Sequence, residues 1–180
     1  MARSQSRTGR PLYTPEERRR RDASPWTFVQ GVLALVQFAI FLISLVLVVR
    51  YLTTDMGYTA ATTSIVVKTL ALYAIMITGS IWEKDVFGRY LFAPAFFWED
   101  VVSMLVLALH TGYLAALVGG WLDAHGLMIV ALFAYASYVV NAGQFIFKLR
   151  QARLDQAGSE RQAARSASVE TTVLRTGAAR

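Results

Sequence analysis

Four apolar runs organise the chain. Residues 26–49 carry no charge at all, residues 60–82 carry only Lys68, residues 96–118 open on Glu99 and Asp100 and then stay apolar, and residues 126–147 are again uncharged. At 1.5 Å per residue each is long enough to cross about 30 Å of hydrocarbon as a helix. Punctuation between them agrees. Ser24-Pro25 has the form of an N-cap and first turn, Asp55 and Gly57 of a turn, Pro94 of a first-turn residue, and Gly119-Gly120 of a break. The pattern predicts an all-α, integral membrane four-helix bundle. Ahead of it, Thr14-Pro15-Glu16-Glu17 has the form of a capping box and predicts a short surface helix, with disorder before it. The chain divides into a basic N-terminal tail (1–23), a membrane domain (24–150) and a C-terminal tail (151–180). That last tail should stay helical for a turn or two and then become disordered.

Charge orients this bundle. Four spans put both termini on one side. Seven arginines fall in residues 1–22, Lys84 and Arg89 lie between the second and third spans, and further basic residues follow the fourth, whereas the first loop has Arg50 alone and the third has neither Lys nor Arg. The positive-inside rule then places both termini, and the 81–99 segment, in the cytoplasm. No apolar run ahead of a small-residue cleavage site is visible in the N-terminal tail.

Composition narrows the chemistry. The chain has 180 residues, 55% hydrophobic and 17% charged, with mean hydropathy +0.41, which suits lipid better than water. It has no cysteine, so disulfides, iron–sulfur clusters and thiolate zinc sites are excluded. Only two histidines, His110 and His125, are present, which disfavours a bis-histidine haem. The net charge of +6 resides mostly in the tails and is not a nucleic-acid signal.

The stretch IWEKDVFGRYLFAPAFFWEDVVSMLVLALHTGY, residues 81–113, mixes charge and aromaticity more densely than a membrane loop needs. Glu83, Lys84, Asp85, Arg89, Glu99 and Asp100 stand among Trp82, Phe87, Tyr90, Phe92, Phe96, Phe97 and Trp98. Such a segment suits a flat apolar molecule with a polar edge. Acidic residues in a first helical turn satisfy the dipole, which accounts for part of Glu99 and Asp100; Glu83 and Asp85, at a helix C-terminus, lie against it. Eleven residues separate Glu99 from His110, so the two fall within about 20° of one helical face, with Ser103 between them. Ser137, Asn141, Gln144 and Lys148 share a face of the fourth span. Lys68 either snorkels to an interface or belongs to an interior polar stripe; His110 and Asn141 read either as interhelical hydrogen bonds or as site residues. From the residues alone, a membrane protein with a carboxylate- and aromatic-rich pocket and no metal site follows.

The segment KTLALYAIMITGSIWEKDVFGRYLFAPAFFWEDVVSMLVLALHT, residues 68–111, resembles the 3-vinyl bacteriochlorophyllide hydratases, small membrane enzymes of bacteriochlorophyll synthesis. SIWEK and FAPAFFWED carry the resemblance, which extends more loosely through SPWTFVQGVLALVQF and on to Lys148, leaving both tails outside. It implies a lyase that adds water to the vinyl group of a chlorophyllide ring, giving a 1-hydroxyethyl group. It implies a magnesium chlorin or bacteriochlorin substrate with a free propionate, in a bacterial inner (intracytoplasmic) membrane. Hydration transfers no electrons, so no redox or metal cofactor is implied; magnesium belongs to the substrate. On this reading Glu99 or Glu83 donates the proton, Asp100 positions the water as base, and His110 is an alternative proton relay or ligand to the substrate magnesium. Lys84 and Arg89 would pair with the propionate, Trp82, Phe97 and Trp98 would stack on the ring, and Lys68 and Asn141 would also contact substrate. A pigment carrier without turnover and a proton-coupled exporter compete; the clustering of carboxylates at helix ends disfavours the exporter. A homodimer, or association with neighbouring pathway enzymes, is compatible with so thin a bundle.

Overall fold

The computed structural model describes residues 12–177. They form five helices: α1 (Pro15–Ala23), α2 (Pro25–Thr54), α3 (Tyr58–Phe87), α4 (Phe97–Gly119) and α5 (Ala124–Gly177). No strand occurs among the described residues. The expected disorder of the extreme N-terminus lies outside them. Four helices are long and apolar enough to cross a membrane: α2, α3, α4 and the Ala124–Gly158 part of α5. Tyr13, ahead of α2, and Phe145, on α5, meet at one end of the bundle through Phe96. At 30 residues each, α2 and α3 are about 45 Å long, more than the hydrocarbon thickness, so their ends project or the helices tilt.

Local chemistry sets the boundaries. Thr14 forms the capping box: its hydroxyl accepts from the Glu17 N–H, while the Glu17 carboxylate accepts from the Thr14 N–H at 2.7 Å. Pro25 opens α2 as expected, but the Ser24 side chain makes no capping bond. Asp55 and Gly57, both left-handed (φ 57° and 89°), turn α2 into α3. Gly88 (φ 80°) ends α3 and Gly120 (φ 61°) ends α4. Two boundaries differ from the sequence reading. Pro94 does not open α4; residues 94–96 form a turn, closed by the Phe96 N–H on the Ala93 carbonyl at 2.8 Å, and the helix starts at Phe97. Just ahead of this turn, the N–H groups of Phe92 and Ala93 are held by side chains of α4 and α3. The C-terminal tail also stays helical much further than a turn or two, because Ala, Gln, Arg and Leu are strong helix formers and no proline interrupts them.

Packing makes α2 and α3 one hairpin and α4 and α5 another, joined by α2 against α5 and α3 against α4. Outward residues such as Phe28, Leu35 and Val46 are exposed, as a lipid-facing surface requires. The larger core occupies the half of the bundle away from the termini and includes Val48, Ile65, Tyr113 and Met128. A second, aromatic core lies at the terminal end. Tyr13 stacks on Phe87 (5.8 Å between centroids, 13° between planes) and packs against Phe96; Phe96 contacts Trp82 edge-on and stacks on Phe145. Arg21 lies over the Tyr13 ring, 4.8 Å from its centroid. The N-terminal segment is thus pinned to the ends of α3 and α5. Tyr13→Ala should destabilise the protein by about 3 kcal/mol, lowering the unfolding temperature in detergent, because a buried ring leaves a cavity among three others.

Candidate functional site

At the end of the bundle that carries the termini, α3 and α4 each bring one buried carboxyl beneath their connection. Glu83, in the last turn of α3, is 5% exposed, and Asp100, in the first turn of α4, is 4% exposed. The Ala93 N–H donates to Glu83 Oε2 at 3.1 Å, and the Phe92 N–H donates to Asp100 Oδ2 at 2.7 Å. Both carboxyls are thus buried beneath the same two loop amides. The loop that supplies both N–H groups is strained at Phe92, a non-glycine residue with φ 58°.

Glu99 faces elsewhere. Lys148 Nζ of α5 donates to its Oε2 at 2.5 Å and lies 5.0 Å from the Phe96 ring centroid. An ion pair thus ties Glu99 of α4 to α5. Asp85, the fourth acid of the segment, is exposed.

The aromatic residues fall into two groups. Trp82 belongs to the inner cluster with Phe87 and Phe96, and its Nε1–H donates to Thr27 Oγ1 at 2.9 Å, tying α3 to the start of α2. Phe97 and Trp98 are exposed, Trp98 to 69%, and with Phe92 they make an outward trio: Phe92 to Phe97 5.7 Å, Phe97 to Trp98 5.6 Å. Trp82, Phe97 and Trp98 thus do not share one slot. Lys84 and Arg89 are exposed at the same end; Lys84 Nζ donates to the Gly88 carbonyl at 3.0 Å and lies 5.4 Å from the Tyr90 ring.

Deeper in the bundle, Lys68 and His110 are both fully buried and paired, Nζ to Nε2, at 3.2 Å. His110 Nδ1 lies 2.8 Å from the Val106 carbonyl, which can only accept, so Nδ1 carries the hydrogen and Nε2 receives one from lysine. Lys68 does not snorkel. Its Nζ sits 3.9 Å from the Tyr138 ring centroid, 5.3 Å from Tyr135 and 5.8 Å from Phe41. Both nitrogens of His110 are engaged, and the ring lies about 16 Å along α4 from Glu99. Asn141 Nδ2 donates to Ser103 Oγ at 2.9 Å, joining α5 to α4. Among the described residues no three His, Cys, Asp or Glu side chains group as metal ligands.

Sequence reasoning missed Tyr13, Thr27, Phe145, Tyr135 and Tyr138, whose roles exist only once helices meet. It also passed over Gln37, although Gln30 and Gln37, seven residues apart, mark one face of an otherwise apolar helix.

The fold and this end of it define a multi-pass helical membrane protein with buried carboxyls and exposed rings at one end. The chain belongs to the 2-vinyl bacteriochlorophyllide hydratase family, whose profile matches residues 13–151 and so takes in α1 and Tyr13. It is 65% identical over 156 residues to the 2-vinyl bacteriochlorophyllide hydratase of Rhodobacter capsulatus, covering 87% of this chain and 90% of the relative. It is 62% identical over 152 residues to the protein of the same name from Cereibacter sphaeroides, covering 84% and 94%. No solved structure matches the chain. The 2-vinyl and 3-vinyl designations differ in wording only.

The intramembrane pair predicts an asymmetry. His110→Leu leaves the Lys68 ammonium buried without its acceptor and should cost about 3 kcal/mol in unfolding experiments in detergent. Lys68→Met leaves only a neutral imidazole acceptor unpaired and should cost less, about 1 kcal/mol, in the same assay.

Proposed function

We propose that this protein is a hydro-lyase that adds water across the vinyl group of a chlorophyllide-type macrocycle, and that Glu83 and Asp100 are the acid–base pair. Family membership supports the reaction class. The observation that carries the residue assignment is the pair of buried carboxyls beneath the Phe92–Ala93 amides.

The chemistry follows from one shared proton. The protonated member of the pair gives its proton to the terminal vinyl carbon, making a methyl group. The adjacent carbon becomes a cation delocalised into the ring. Water adds to that carbon, and its proton passes to the pair, which is thereby restored. No electrons are transferred, so no redox cofactor is required. Of the two donors considered from the sequence, Glu83 fits better than Glu99, since Glu99 already forms an ion pair with Lys148. Phe92, Phe97 and Trp98 offer a landing face for the ring on the outer side of the loop covering the pair, with Trp82 packed behind it. Lys84 and Arg89 would meet a propionate at the aqueous edge. The basic residues at this end favour the cytoplasmic side of a bacterial inner membrane.

A non-catalytic pigment carrier is the alternative, favoured by the fact that both carboxyls clamp loop amides and could be structural. Incubating membranes with chlorophyllide a and following pigment by mass spectrometry separates the two. The expected product is heavier by one water. Glu83→Gln and Asp100→Asn should each lower its formation by about 10²–10⁴-fold while pigment binding persists. Wild-type rates in both variants would make the two carboxyls a structural clamp only, and pigment binding without any heavier product would favour the carrier. Lys84→Ala and Arg89→Ala should raise KM several-fold with little change in kcat, since a propionate contact is made equally in ground and transition states.

A further inference from the structure

Buried polar atoms without protein partners run through the interior of the bundle. Gln37 is 2% exposed, and among the described residues neither its Oε1 nor its Nε2 has a hydrogen-bond partner. Asn141 is 8% exposed; its Nδ2 is satisfied by Ser103 but its Oδ1 is not. Gln144 Oε1, one turn along α5 from Asn141, is likewise buried and unpartnered. In hydrocarbon each such group is costly, because nothing outside the protein can satisfy it.

These atoms share a register. The Phe41 ring packs on Tyr138 (5.0 Å) and Tyr135 (5.5 Å), and α2 and α5 cross the bundle in opposite directions. One turn toward the terminal end from that contact therefore places Gln37 at the level of Asn141, which Ser103 joins from α4. The next turn outward holds Gln144 and the Glu99–Lys148 pair. The Lys68–His110 pair lies two turns inward of Ser103 along α4, beyond the fully buried Val106. Beyond it, after a self-satisfied Ser44–Tyr135–Ser64 cluster, come Val48, Ala61, Ile65 and Met128, each at most 1% exposed. Polar groups thus stand at successive turns from Lys148 to the level of Gln37, Ser103 and Asn141, and among the described residues Thr62 Oγ1 and Tyr113 Oη are the unpartnered buried atoms of the far half.

We propose that the bundle interior is a binding site for a file of water molecules. Gln37, Ser103, Asn141 and Gln144 hold it, and the Glu99–Lys148 pair forms its mouth. Internal waters usually take several hydrogen bonds from buried groups that would otherwise have none, and the unpartnered amide atoms of Gln37, Asn141 and Gln144 supply them. The file ends below the buried Val106 and is open only to the side that carries the Glu99–Lys148 pair.

The absence of cysteine from the sequence makes this testable by single-cysteine accessibility. A thiol is attacked by silver ion or a small cationic methanethiosulfonate as the thiolate, which forms in contact with water. Gln37→Cys, Ser103→Cys and Asn141→Cys should be modified at least about tenfold faster than Val48→Cys in the apolar far half. In sealed vesicles of the two orientations, modification should be fast only with reagent on the terminal side. Rates as slow as Val48→Cys, or equal rates from both sides, would overturn the proposal. Ser103→Cys changes one atom and decides the matter if the larger replacements fail to fold. The readout is chemical labelling, so it stands or falls independently of the hydratase reading.

Discussion

Two carboxyl groups cannot lie against one another in a nearly dry site unless a proton is shared or compensating donors surround them. Here the compensating donors are present. Glu83 and Asp100 come from the end of one helix and the start of the next, and the amides of Phe92 and Ala93 close over them. The connection between α3 and α4 is anchored by those two bonds, with Phe92 at positive φ and α4 starting after Phe96. With Phe92 in that conformation its ring turns toward Phe97, outside the bundle, while Phe96 turns inward onto Trp82, Phe87 and Tyr13. A single acid–amide arrangement thereby separates an inner, structural set of rings from an outer, accessible one.

Hydrocarbon imposes the second constraint. A soluble bundle can leave a side-chain amide to water, but a membrane bundle must pair it internally. The interior accordingly reads as a series of polar contacts at successive turns of α4: Glu99 with Lys148, Ser103 with Asn141, His110 with Lys68. Each joins α4 to a neighbour, so the contacts that avoid a desolvation penalty are also those that set the helix register.

Much of this architecture was legible in the chain. Charge-free runs located all four spans, and the Thr14–Glu17 pattern located the capped first helix, because hydropathy and capping are local properties. The alignment of Glu99, Ser103 and His110 on one face also followed from spacing alone, and all three are buried. Partners were not legible. Nothing in the spacing said that Glu99 would meet Lys148, leaving Glu83 to pair with Asp100, since both outcomes depend on how α3, α4 and α5 close in three dimensions. Trp82, Phe97 and Trp98 looked equivalent as aromatics near carboxylates; a tight loop between them sends Trp82 inward and the other two outward. Lys68 looked able to reach an interface, and only the meeting of Phe41, Tyr135 and Tyr138 around its ammonium explains why it stays inside.

The docking of Tyr13 bears on how the protein is made. Tyr13 leaves the ribosome before the four spans, yet the rings it touches, Phe87 and Phe96, come at and just after the end of α3, and Phe145, which stacks on Phe96, lies in the last span. Its contacts are among the longest in sequence separation that the chain makes, and such contacts form late. The aromatic end of the bundle is therefore sealed only after the last span has been inserted. During biogenesis the segment that becomes the site stays open to the surrounding bilayer until the N-terminus returns to close it.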